Sequence, residues 1–129
     1  MNKIIVEVSV GELFDKISIL EIKKDKIKDK EKLKFIIDEY NILKDQMINN
    51  VKSNEKLDKL FTSLKDINSN LWVKEDDKRL CEKNSDFGEK FIKLSRDIHF
   101  LNDKRASIKL EINEETGSKI KEIKEYTSY

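Results

Sequence analysis

The chain has 129 residues, no proline and only three glycines, so little in it is built to break a helix. It has one cysteine, Cys81, which excludes an intramolecular disulfide. It has one histidine, His99, and no zinc-type cluster, and neither H-E-x-x-H nor the E-x-x-H of di-iron bundles occurs. His99 and Asp103 are an i, i+4 pair and Asp97 lies nearby, but the simplest reading of His99 is a partly exposed helix residue, and no metal is expected. G-x-S-x-G, a phosphate-binding loop and a dinucleotide fingerprint are all missing, so no cofactor is expected. No apolar run approaches the twenty residues of a membrane span. The first run, residues 4–10, is interrupted by Glu7 and Ser9, unlike a signal peptide. Nor does one charge dominate. The 27 basic and 26 acidic residues leave +1, which removes the electrostatic case for nucleic acid. The expected setting is the cytoplasm, with neither membrane nor nucleic acid as a partner.

What the chain does have is charge, at 41%, and apolar residues, at 37%, that recur periodically. Periodicity separates a set of long solvated helices from a disordered chain of similar composition. One helical domain over residues 1–129 is expected.

The clearest helix lies within residues 87–113. Phe87, Phe91, Leu94, Ile98, Leu101, Ile108 and Ile112 recur at steps of three and four. The slot between Leu101 and Ile108 holds Arg105, and a guanidinium in an apolar seam needs a partner. Asp86 with Glu89 predicts a cap before this helix, and Gly117 a stop after it.

Residues 3–10 alternate, with Ile4, Val6, Val8 and Val10 on one side, which reads as a short β-strand. Ser9 and Glu12 then form a capping box for a first helix over residues 10–28. Its apolar residues include Val10, Leu13, Phe14, Ile17 and Leu20, with Ile19 and Ile22 on the far side, as a central helix requires. Glu21 falls inside the first arc. Asp29 caps a second helix whose seam is Leu33, Ile36, Ile37, Tyr40, Leu43 and Met47, with Asn49 and Asn50 as stops. Ser53 or Asn54 caps a third, with Leu57, Leu60, Phe61, Leu64, Ile67, Leu71 and Trp72. Asn68 sits beside that seam, a position that commonly sets helix register. Residues 118–129 fit either a helical turn or a strand beside residues 3–10. The expected fold is therefore mainly α: an antiparallel bundle of four helices, two of them long, with a short N-terminal strand. Two such long helices in so small a chain favour a homodimer.

Glu21 and Arg105 each interrupt an apolar face, and burying either charge alone would cost several kcal/mol. The economical arrangement is that they meet, either as a register-setting ion pair or around a pocket where Arg105 takes an anion. Asp15, Lys16, Lys23, Asn102, Asp103 and Lys109 form a second polar group. Each is most simply a surface residue, but Asn102 and Asp103 lie within one turn of Arg105 and with Glu21 and Lys23 would line a polar cleft between the first and last helices.

The block at residues 8–23, V-S-V-G-E-L-F-D-K-I-S-I-L-E-I-K, resembles the opening of a family of small bacterial and phage-associated domains of unknown function. The block at residues 102–113, N-D-K-R-A-S-I-K-L-E-I-N, resembles its closing motif. The resemblance covers nearly the whole chain and implies no activity. It implies polar motif positions at Glu12, Asp15, Lys16, Glu21, Lys23, Asn102, Asp103, Arg105 and Lys109. The expected function is a non-enzymatic interaction or oligomerisation module. The alternative is a small helical enzyme or binding protein for an anionic metabolite (a carboxylate, phosphate or nucleotide-sugar-like molecule) using Arg105, Lys109 and Glu21. Dimers of the chorismate-mutase type are an architectural analogy for this alternative.

Overall fold

Helix starts in this chain are set mainly by short polar side chains that satisfy otherwise orphaned backbone N–H groups. In the computed structural model, which describes residues 2–129, Ser9, Asp29 and Asn54 each accept from the N–H three residues on, at 3.0, 3.0 and 2.9 Å. They open α1 (Val10–Lys26), α2 (Lys30–Asn50) and α3 (Glu55–Lys83). The box expected at Ser9 is only half made, because the Glu12 carboxylate turns instead to Lys109.

The cap expected at Asp86 does not form. α4 (Glu89–Thr116) starts at Gly88 with no side-chain cap, and Asp86 accepts from the Gly88 N–H at 3.2 Å. That bond closes a local turn two residues on, which competes with capping. At the far end, Gly117 takes φ 63°, as expected of a glycine stop. Its N–H donates to Glu114 and that of Ser118 to Asn113, the paired bonds of a Schellman end.

Helix occupies 74% of the chain, and no strand forms among the described residues. The expected N-terminal strand is therefore wrong, as is its pairing with the tail. Residues 2–8 are exposed, with Ile4 and Ile5 about nine-tenths accessible. A strand needs a second edge for its backbone groups, and alternation alone cannot supply one. The tail instead lies against α1 and α4: the Val10 N–H donates to Ser118 Oγ at 3.1 Å, and Lys109 reaches Glu122.

α1 is the central helix and packs against the other three. α3 and α4 form a long antiparallel hairpin. Its register is marked by Lys56–Glu115 at 3.1 Å, Asn68–Arg105 at 3.4 Å and Lys74–Asp97 at 3.1 Å. Phe14, Leu57, Leu64 and Ile112 form the core where α1 meets this hairpin, with Phe61 edge-on to Phe14. Farther along, the hairpin buries Leu71, Cys81, Leu94 and Ile98. α2 packs on α1 alone, and none of its residues is buried. No helix among the described residues is long and apolar enough to cross a membrane.

Candidate functional site

On α4, Arg105, Lys109 and Asn113 follow at steps of four, so they form one stripe. Opposite them on α1 stand Gly11, Glu12, Asp15 and Ser18. The helices close on each other at Gly11. Its N–H donates to Asn113 Oδ1 at 2.7 Å, and an added Cβ would lie 2.5 Å from the Lys109 backbone oxygen. Only glycine allows that approach.

Asp15 is 6% exposed, and its Oδ1 accepts from Asn68 Nδ2 of α3 at 2.8 Å. The same amide nitrogen donates to Ser18 Oγ, also at 2.8 Å. Both of these contacts need the amide nitrogen on that side, so the carbonyl oxygen of Asn68 is turned towards Arg105, whose Nη1 donates to it at 3.4 Å. A buried relay from α1 through α3 thus holds the guanidinium of α4.

Lys109 sits among three carboxylates. Its Nζ lies 2.6 Å from Glu12, 3.1 Å from Glu122 and 3.8 Å from Asp15. Burial is the largest single influence and pulls its pKa down. The bonds to Glu12 and Glu122 and the charge of Asp15 outweigh that and hold it above the usual lysine value. Glu122, bonded to Lys124 and Lys109, is held below the usual carboxylate range. Among the described residues no buried side-chain nitrogen or oxygen lacks a partner, so the buried seam is closed on itself.

Arg105 does not meet Glu21. Glu21 accepts from Lys65 Nζ at 2.9 Å and Tyr40 Oη at 3.1 Å, on the α2 side of α1. The expected pair fails because Glu21 is taken up by Lys65 of α3 and Tyr40 of α2, and Arg105 by Asn68. The cleft containing Glu21 fails with it. Tyr40 is in turn pushed above its usual pKa, first by burial and then by the Glu21 carboxylate.

Arg105 is half-buried, and among the described residues it forms no ion pair. It stands between two recesses. One, of about 450 Å³, has an apolar wall of Ile19, Ile22, Leu71 and Trp72. Asn68, Asn102 and Arg105 lie at one part of its lining, and Glu75, Asp76 and Arg79 continue along α3. The other, of about 310 Å³, is lined by His99, Asn102, Asp103, Arg105 and Lys109, with Lys124 and Tyr126 of the tail.

Of the residues singled out from sequence, Glu12, Asp15, Arg105 and Lys109 come together, and Asn102 and Asp103 adjoin them. Lys16 is exposed, 3.9 Å from Glu12. Lys23 contributes a backbone carbonyl to the end of α1. Asp97 pairs with Lys93 and Lys74, which hold its pKa low, while His99 packs on Tyr129 with ring centres 4.9 Å apart. Among the described residues no group of three side chains could hold a metal ion. Sequence reasoning missed Ser18, Asn113 and Glu122, and it read Asn68 only as a register residue. The four-residue step from Arg105 through Lys109 to Asn113 was the available signal for Asn113.

The chain belongs to the family of unknown function DUF6165, whose model matches residues 4–129. No curated protein and no solved structure matches it.

Proposed function

We propose that the chain binds an anionic small molecule in the groove between α1, α3 and α4, with Arg105 as the receiving group. The observation that carries this reading is the state of that guanidinium. A guanidinium has five N–H donors. Here it makes one long bond, to an amide oxygen held in place by Asp15 and Ser18, and it faces a groove. A planar fork that meets one acceptor behind it and keeps its other donors for the groove suits a carboxylate or phosphate. Lys109 is saturated by Glu12 and Glu122 and supports the wall rather than the ligand. Glu21 is too far round α1 to take part.

Thermal melts with millimolar phosphate, pyrophosphate and citrate test the proposal. At least one should raise the melting temperature of the wild type, as a ligand bound to the folded state does. The rise should vanish in Arg105→Leu, whose helical circular dichroism is retained. Equal rises in both proteins, or none with any of the three, would reject it.

A second reading, a self-association module, is favoured by a separate observation. Phe35, Ile42 and Ile48 of α2 are 76%, 63% and 64% exposed on a helix with no buried residue. Large apolar side chains clustered on one exposed element commonly mark an interface. Sedimentation equilibrium decides it: a dimer that Ile42→Lys dissociates supports the reading, and a wild-type monomer at about 100 µM removes it.

A further inference from the structure

The anion-binding groove is larger and more apolar than an oxyanion needs. Resting on the reading above, we propose that its ligand carries a planar aromatic ring lying along Trp72, with the anionic group at Arg105. A phosphate or carboxylate alone would leave the exposed parts of Ile19 and Trp72 in that wall wet. The volume of about 450 Å³ falls in the range of sites for small organic molecules, roughly 300–1,000 Å³.

The spacing along α3 sets the ligand's layout. Asn68, which aims Arg105, and Trp72 are four residues apart, about 6 Å along the helix axis. Residues four apart lie on one face of the helix, so Trp72 and the amide that aims Arg105 border the groove one turn apart. Trp72 is half-buried, so part of the indole remains available to a ring. Asn102 lines the same groove, is half-buried, and its side chain forms no hydrogen bond among the described residues. Its amide offers one donor and one acceptor side to a ring edge. Arg79 lies seven residues beyond Trp72, about 10 Å along α3, too far to share a compact anion with the Asn68 level of the helix. Glu75 and Asp76 line the groove between Trp72 and Arg79, so the anionic group belongs at the Arg105 end.

Trp72 is the chain's one tryptophan, so its fluorescence reports on this groove alone. Titration uses phenyl phosphate, cyclohexyl phosphate and inorganic phosphate, with benzoate and acetate as the carboxylate pair. Phenyl phosphate or benzoate should change Trp72 emission and bind at least tenfold more tightly than phosphate or acetate. Phenyl phosphate should also exceed cyclohexyl phosphate, which matches it in size but is not planar. The better of the two ring compounds tells phosphate from carboxylate at Arg105. By calorimetry, Trp72→Leu should lose the ring's advantage and Trp72→Phe should keep most of it, with both variants folded by circular dichroism. Phosphate binding as tightly as phenyl phosphate would overturn the ring while leaving the anion site standing. Cyclohexyl phosphate equalling phenyl phosphate would likewise overturn it. Failure of every probe would remove both.

Discussion

The two flanks of α1 each hold a carboxylate, and they use it differently. Asp15 faces α3 and α4, is almost wholly buried, and fixes an amide that fixes a guanidinium. Glu21 faces α2, keeps a fifth of its side chain in water, and pairs with a lysine that is 36% exposed. Partly solvated pairs of the second kind contribute about 0–1 kcal/mol. A buried charged hydrogen bond of the first kind contributes about 1.5–3 kcal/mol, and more is lost when its partner is left unpaired. The flank with three helices around it can support a site. The flank where Glu21 meets Tyr40 of α2 and Lys65 of α3 stays partly in water and holds a surface pair.

The sharpest way to break this contrast is Asp15→Ala. It strips Asn68 of one acceptor and Lys109 of one counter-charge, and should cost about 3 kcal/mol in urea denaturation. A cost below that of Glu21→Ala would abolish the distinction between the flanks.

Gly11→Ala tests the close approach that brings the buried flank together. The added methyl meets a backbone oxygen, which cannot swing aside, so about 2 kcal/mol should be lost. A neutral result would mean that α1 and α4 separate freely at this point.

The pH dependence comes next. Lys109 has a folded pKa above its ordinary 10.5, so the folded state holds its proton more tightly than the unfolded state. The stability it contributes is complete below about pH 10.5 and is lost as pH rises through the folded value. Comparing wild type with Lys109→Met between pH 9 and 12, roughly the interval that spans an ordinary lysine titration, should show the steeper fall in the wild type. Parallel curves would contradict the assignment.

The smallest effect belongs to the α2 flank. Glu21→Ala should cost less than about 1 kcal/mol, because its partners Lys65 and Tyr40 both regain water. A loss of 2 kcal/mol or more in the same urea experiment would put this flank on a level with the other.

The helices were legible in the sequence because their signals are local. The hydroxyl of Ser9, the carboxylate of Asp29 and the amide of Asn54 act within three residues of themselves, and the periods of α1 to α4 need no knowledge of any neighbour. Asp86 shows the limit even there, since a competing turn two residues away took its carboxylate. Residues 3–10 had the right local period for a strand, but the missing ingredient was another edge. Arg105 was legible as an interruption that required a partner. The identity of that partner was not, because a helical wheel gives an angle about one axis and says nothing of the axial register of the next helix.

From the sequence alone came the four helices, their main punctuation at Ser9, Asp29, Asn54 and Gly117, and the presence of a cation in the seam of α4. Tertiary structure alone decided that Asn68 receives that cation, that Lys109 is enclosed by Glu12 and Glu122, and that Glu21 turns to Lys65 and Tyr40. The reason is physical. Backbone hydrogen bonds in a helix close within four residues, so their pattern is written nearby. The neighbours of these charges come from chain 13 to 97 residues away, and packing alone selects which of them arrive.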